Sequence, residues 1–263
     1  MQHSALLNVM IAAARKAART LKRDFGEVEN LQVSLKGPGN FVTAADRKAE
    51  ETLKAELAKA RPGYSFLGEE SGSHAGTDTT HTWIVDPLDG TTNFLHGIPQ
   101  FAISIGLERS GTIVAGVIYN PITDELFVAE RGKGAFLNDK RLRVAARKQL
   151  ADSVIACGLP HLGRGDLDLG LRELSAIQDK VAGLRRFGAA ALDMAFVAAG
   201  RLDGYWERNI SPWDIAAGII ILREAGGFVT DIDGADAMFT KKHVVAGNET
   251  IQRELQRLLK AAG

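Results

Sequence analysis

Trp83-Ile84-Val85-Asp86-Pro87-Leu88-Asp89-Gly90-Thr91-Thr92-Asn93-Phe94 sets two carboxylates and a hydroxyl on a tight Pro/Gly turn directly after an apolar run. Asp86 and Asp89 are hard oxygen donors of the kind Mg²⁺ prefers, and Leu88 between them can add its backbone carbonyl. Gly90 lets the backbone approach an anion, while Thr91 and Thr92 bring hydroxyls and N–H groups to what reads as a helix start. A turn alone accounts for Pro87, Asp89 and Gly90. It does not need all of these groups, and the stretch reads as a metal-dependent phosphate site.

Two further segments carry acids at comparable places. Tyr64-Ser65-Phe66-Leu67-Gly68-Glu69-Glu70-Ser71 is a second short strand that ends in carboxylates, although such a glutamate is more often a solvated loop residue. In Ser211-Pro212-Trp213-Asp214-Ile215-Ala216-Ala217-Gly218, Ser211 suits an N-cap, Pro212 the first helical position and Asp214 the third, so Asp214 has a structural role available to it. A carboxylate at a helix start can also face a metal.

Outward from these segments, the pattern changes near residue 145. Helices are predicted over 4–25 and 43–60, the second opened by Thr43 and Asp46 and closed by Pro62-Gly63. Strands follow at 64–68, 82–86, 101–108, 112–119 and 125–130, with Ser110-Gly111 and Asn138-Asp139 as turn signals, which makes an antiparallel meander beside helices. Beyond 150, strands at 153–157, 184–187, 202–206, 228–231 and 243–246 are interspersed with helices near 168–181, 189–199, 212–225 and 249–261, the mark of an α/β layer.

Of the 263 residues, 45% are hydrophobic and 24% charged, enough for a substantial core. Lys plus Arg and Asp plus Glu each total 32, a zero net charge that argues against a general nucleic-acid binder. The lone cysteine, Cys157, rules out an intrachain disulfide framework, suits a reducing cytoplasm, and reads as a small buried hydrophobe. Arg15, Lys16, Arg19, Lys22 and Arg23 give residues 4–23 the basic, acid-free character of some transit peptides. Leu7, Ile11, Ala14, Ala18, Leu21 and Phe25 nevertheless keep a helical spacing, so the segment reads as structural. With no apolar run of membrane-spanning length and no secretory signal pattern, a cytoplasmic protein is expected.

GEES, WIVDPLDGTTNF and WDIAAG, in this order and spacing, resemble the inositol monophosphatase family of Mg²⁺-dependent, lithium-sensitive phosphatases across essentially the whole chain. The resemblance implies an α/β (α+β) fold: a layered αβαβα sandwich with an antiparallel N-terminal sheet and a mixed C-terminal α/β sheet. The active site would lie between halves at 1–145 and 146–263. It implies one Mg²⁺ on Glu69, Asp86 and the carbonyl of Leu88, a second on Asp86, Asp89 and Asp214, and a third, weakly held, near Glu69. Four packed carboxylates would repel strongly unless cations neutralised them. Glu69 and Thr91 would flank the attacking water, with Asp46 assisting Thr91; read without the family, Asp46 is equally a capping-box acid for Thr43. Lys36, before Gly37-Pro38-Gly39, would close over the metal site.

The phosphate is expected on the N–H groups of Gly90 and Thr91. Polyol hydroxyls would meet Asp89, Gly188-Ala189-Ala190, Glu207 and Asp214. Ala189 stands where relatives often carry a small hydroxyl residue, and Arg208 where many are neutral; Arg208 is expected to pair with Glu207 or meet a second anionic group. Trp213 is expected to bury its ring beneath the site. His96 and the other histidines fall outside the motifs. Inositol 1-phosphate is the first substrate expected, and a homodimer the expected assembly. Fructose 1,6-bisphosphate, histidinol phosphate and a 3′-phosphoadenosine nucleotide remain rivals within the same chemistry. An interaction protein contacting the transcription machinery is the rival of another class.

Overall fold

The computed structural model describes residues 3–25, 33–37, 40–161 and 165–263, the side chains of 33–37 and 40–42 left aside. Helix α1 spans Ala5–Phe25; β1 (Val33–Gly37) and β2 (Asn40–Thr43) form a small antiparallel ribbon; α2 spans Ala44–Ala60. A large sheet follows, made of β3 (Tyr64–Gly68), β4 (Gly72–His74), β5 (Asp78–Asp89), β6 (Ala102–Arg109), β7 (Thr112–Asn120), β8 (Glu125–Glu130), β9 (Gly134–Leu137) and β10 (Lys140–Arg141), with α3 (Thr91–Leu95) after β5. The second sheet comprises β11 (Val154–Cys157), β12 (Gly183–Arg185), β13 (Gly204–Arg208), β14 (Phe228–Thr230) and β15 (His243–Gly247), interleaved with α4 (Leu167–Gln178), α5 (Ala190–Ala198), α6 (Pro212–Glu224) and α7 (Met238–Lys241), and the described chain closes on α8 (Glu249–Ala262).

In the first sheet the strands run in the order β10-β9-β8-β7-β6-β5-β3-β4. From β5 to β10 it is the expected antiparallel meander. Both central residues of its tight turns, Ser110-Gly111 and Asn138-Asp139, take positive φ, as two-residue hairpins between right-twisted strands require. The sheet is not antiparallel throughout, however, because β3 pairs parallel to β5. β4 carries the chain back along the outer edge of β3 so that β5 starts at the same end as β3. The ribbon β1–β2 and the short elements β4, β9, β10 and α7 were not anticipated as elements. The second sheet, in the order β12-β11-β13-β15-β14, is mixed as expected, with parallel pairs on both sides of β11 and antiparallel pairs at β15.

Three apolar clusters separate five layers. One lies between α1, α2 and the first sheet: α1 buries Leu7, Ile11, Ala14, Ala18 and Leu21, the spacing read from the sequence, in one cluster with Leu53, Trp83 and Phe101. A second fills the centre, where α5 and α6 contact strands of both sheets. The third joins the second sheet to α8 through residues such as Trp206, Val245 and Leu255. The result is an αβαβα sandwich. Its centre is tight because two sheet positions lack a side chain: a Cβ on Gly106 would come within 2.7 Å of Ala216 Cβ, and one on Gly116 within 2.6 Å of Ile220 Cγ2. Helix α6 therefore rests directly on β6 and β7, which fixes its first turn beside the carboxyl end of β5.

Candidate active site

The parallel pairing of β3 with β5 decides the site. Gly68 is in register with Val85, and Glu69 N–H donates to Val85 O at 3.2 Å, so Glu69 and Asp86 leave the same sheet edge side by side. Pairing of β5 with β6 is irregular between Asp86 and Asp89, where Pro87 has no N–H to give. In a regular strand, residues three apart face opposite sides. The irregularity lets Asp86 and Asp89 line one cavity of about 250 Å³, together with Glu69, Thr91 and Asp214.

Asp214 reaches this edge on α6. Its Oδ2 accepts from Ser211 N at 2.8 Å, which is the expected cap, and it also lines the cavity, so the two readings of this residue hold together. The buried Ser104, in register with Asp86 on β6, donates its hydroxyl to Trp213 O at 3.2 Å and ties the start of α6 to β5. Trp213 is half-buried against the central core and lines the cavity.

Asp46 also serves twice. Its Oδ2 accepts from Thr43 N at 2.8 Å within a complete capping box, while Thr91 Oγ1 lies 3.0 Å from its Oδ1 and 3.1 Å from Leu88 O. Leu88 buries its side chain and gives its N–H to Asp86 Oδ1 at 2.9 Å. Asp89 Oδ2 accepts from Ala191 N at 2.7 Å, capping α5, whose own N-cap residue Ala189 offers no side-chain bond. Gly90 takes the left-handed conformation (φ 95°) before α3. That helix is one turn long, so its dipole is small; the available anion donors are the N–H groups at its start.

Burial drives the electrostatics. Asp86 is buried, and desolvation followed by the charges of Glu69, Asp89 and Asp214 pushes its carboxyl well above the usual range. Asp89 is pushed the same way by burial and then by Asp214, against the pull of the Ala191 N–H. Asp46 is also raised by burial, with the Thr43 and Thr91 hydrogen bonds offsetting part of the effect. Among the described residues no three His, Cys, Asp or Glu side chains are placed so that together they could hold a metal ion. An open, carboxylate-lined cavity is nonetheless what Mg²⁺ suits, because it keeps several waters and shares its remaining positions with substrate phosphate. The all-oxygen donor set fits that ion.

Of the expected polyol contacts, Gly188, Ala190 and Glu207 line the cavity. Ala189 does not: its side chain is buried in the central core, near where a Cβ on Gly90 would fall. Glu207 accepts from the Tyr205 hydroxyl, and a Cβ on Gly158 would collide with its carboxyl carbon, so a glycine there makes room for the acid. Arg208 does not take Glu207 as its ion-pair partner; its Nε donates to Glu173 Oε1 of α4 at 2.6 Å. Lys36 falls on β1 with its side chain outside the described residues, as are Pro38 and Gly39 entirely.

Four residues at the site escaped the sequence reading. Glu50, on α2, accepts from Glu70 N and Ser71 N, both at 2.8 Å, and so fixes the turn that carries Glu69. Asn93 Nδ2 donates to Gln100 O at 2.7 Å and Phe187 O at 2.8 Å, holding the loop after Asp89 to the turn at Gly188. Asp193, buried on α5, and the exposed His161 both line the cavity. An acid inside the apolar run of α5 was the available signal for Asp193; nothing local marks Glu50.

The sequence profile described as the inositol monophosphatase family matches residues 2–262. A protein of Mesorhizobium japonicum named inositol-1-monophosphatase is 65% identical over 260 residues, covering 99% of this chain and 98% of that protein. The crystal structure of the extragenic suppressor protein suhB from Bartonella henselae is 61% identical, with a TM-score of 0.95 and coverage of 98% and 99%. A Pseudomonas aeruginosa protein named Nus factor SuhB is 42% identical over 92% of this chain and 91% of its own length. The chain belongs to the inositol monophosphatase family.

Proposed function

We propose that the cavity hydrolyses the phosphate monoester of a small polyol, with inositol 1-phosphate as the substrate. The observation that carries this reading is the convergence of Glu69, Asp86, Asp89 and Asp214, from three separate segments, on one cavity that also takes in Gly188, Ala190 and Glu207. The name of the Mesorhizobium relative supports the choice of inositol phosphate. Residues 1–145 would carry most of the metal ligands, and 146–263 would complete the metal and substrate site.

The family is one of metal-dependent phosphatases, and the donors suit Mg²⁺. Glu69, Asp86 and the Leu88 carbonyl would hold one ion, Asp86, Asp89 and Asp214 a second, and the neighbourhood of Glu69 a third, more weakly. When bound, Mg²⁺ lowers the pKa of water and offsets charge on the leaving oxygen. The chain's own groups do the rest. N–H groups of Gly90 and Thr91 take the phosphate oxygens. Thr91 Oγ1 receives a proton from the attacking water as its own proton passes to Asp46 Oδ1, 3.0 Å away. Burial raises the Asp46 carboxyl and makes it the stronger base. Glu207, braced by Tyr205, accepts a polyol hydroxyl.

The test is phosphate release over a panel of inositol 1-phosphate, fructose 1,6-bisphosphate, histidinol phosphate and a 3′-phosphoadenosine nucleotide, with Mg²⁺ and with chelator. The reading expects inositol 1-phosphate to give the highest kcat/KM and chelator to abolish release. A preferred substrate without a polyol, or release indifferent to chelator, would overturn it.

A second reading, contact with the transcription machinery, is supported by the name of the Pseudomonas relative. Co-purification of transcription proteins with a catalytically dead variant tests it, and their absence would remove it. The family also supports a homodimer, and a cytoplasmic location suits the lone cysteine, Cys157. Among the described residues no helix is long and apolar enough to cross a membrane.

A further inference from the structure

Asp193 stands in the first turn of α5, within the apolar run Ala190-Ala191-Leu192-Asp193-Met194-Ala195-Phe196-Val197. It is 2% exposed, and its Oδ1 is buried with no hydrogen-bond partner among the described residues. A buried carboxylate left in this way is costly and calls for a reason. Capping is not the reason, because the start of α5 is already capped from another part of the chain by Asp89 Oδ2 on Ala191 N. Packing is not the reason either, since its neighbours on the helix fill the central core with apolar side chains.

What sets Asp193 apart is its place in the cavity wall, in the same cavity as Glu207, Gly188 and Ala190. Glu207 and Arg186 are the charges that act on it most strongly, the first raising its carboxyl and the second lowering it, after the larger rise due to burial. The Glu207 carboxylate is braced by Tyr205, whereas no group among the described residues holds Asp193 Oδ1. A polyol offers adjacent hydroxyls, each able to donate one proton and accept another. A simple aryl ester offers none.

Building on the reading of a polyol phosphate, we propose that Asp193 is a second specificity residue beside Glu207, its carboxylate accepting a hydrogen bond from a hydroxyl of the polyol. It shares the cavity wall with Glu207, Gly188 and Ala190, the groups assigned to the polyol, so it is assigned to the alcohol part of the ester.

The experiment compares wild type, Asp193→Ala and Asp193→Asn on inositol 1-phosphate and 4-nitrophenyl phosphate at saturating Mg²⁺, with thermal melts of all three. Asp193→Ala is expected to lower kcat/KM for inositol 1-phosphate by about tenfold or more, chiefly through KM, with a loss below about threefold on the aryl ester. Asp193→Asn keeps an acceptor oxygen and nearly the same shape, and should recover most of the loss. Equal losses on both substrates, or no loss on inositol 1-phosphate in a folded variant, would overturn the assignment. Wild-type turnover of the aryl ester alone would instead refute the polyol reading, and this inference with it.

Discussion

Thr91 Oγ1 stands 3.0 Å from Asp46 Oδ1, while the other oxygen of Asp46 is held by Thr43 N at 2.8 Å. One carboxylate thus starts α2 and orients a hydroxyl at the cavity, 45 residues along the chain. Asp46→Asn keeps the side chain's shape but removes the base, so kcat on inositol 1-phosphate should fall at least about tenfold, or 1.4 kcal/mol of barrier, with KM nearly unchanged. A variant that loses thermal stability and keeps kcat would leave Asp46 as a cap alone.

Glu50 supports Glu69 from behind, through the N–H groups of Glu70 and Ser71. Glu50→Ala leaves those two donors without their partner, a cost of roughly 1–3 kcal/mol in stability. The Mg²⁺ concentration for half-maximal activity should rise, and Glu50→Gln, which retains an acceptor, should restore much of it. If Mg²⁺ dependence is unchanged while stability falls, Glu50 has no bearing on Glu69.

Stability of the metal-free protein should depend on pH in a definite direction. Asp86 and Asp89 have carboxyls raised above their ordinary value by burial and by the neighbouring acids, so the folded chain holds protons that the unfolded chain releases. Their contribution is fully present below the unfolded value, near 3.8, and is lost as pH rises through the raised folded values. If Mg²⁺ is held by these carboxylates as proposed, it binds their ionised form, and its stabilising effect should grow with pH. Melting temperatures with chelator and with excess Mg²⁺, taken at about pH 5.5 and about pH 8, should show the larger Mg²⁺ increment at the higher pH. An equal or smaller increment there would contradict the carboxylate cluster as the ion's site.

Asp214 both accepts from Ser211 N and lines the cavity. Asparagine at this position can still accept the backbone proton, so Asp214→Asn should cost no more than roughly 1 kcal/mol of stability but weaken Mg²⁺ activation markedly. Unaltered kinetics would reduce Asp214 to its cap.

The parts of the site visible in the sequence are those whose chemistry is local. Asp86, Leu88, Asp89, Gly90 and Thr91 share one turn, and Thr43 with Asp46, or Ser211 with Asp214, announce helix starts by spacing alone. The hydrophobic pattern likewise fixes α1, α2 and the meander. Pairing partners are a different matter: nothing in Tyr64–Gly68 shows that it lies parallel to β5, yet that register brings Glu69 to Asp86. Glu50 sits beside Glu51 on a charged helix and reads as a solvated acid until its partners 20 and 21 residues away are seen. Arg208 is separated by 35 residues from Glu173, the acid it binds, so its neighbour Glu207 was the misleading partner. β9 and β10 are too short for periodicity to mark, although the Asn138-Asp139 turn between them was plain.

Asp86 is buried among the charges of Glu69, Asp89 and Asp214, and the central proposal is that it would be shared by two Mg²⁺ ions. The most direct measurement is kcat of Asp86→Asn on inositol 1-phosphate at saturating Mg²⁺, with a melt to establish that the fold is intact. Asparagine can still accept the Leu88 N–H, so the account predicts a folded protein whose kcat is below about one tenth of wild type, at least 1.4 kcal/mol of lost barrier reduction. A folded Asp86→Asn protein that keeps more than that would contradict it.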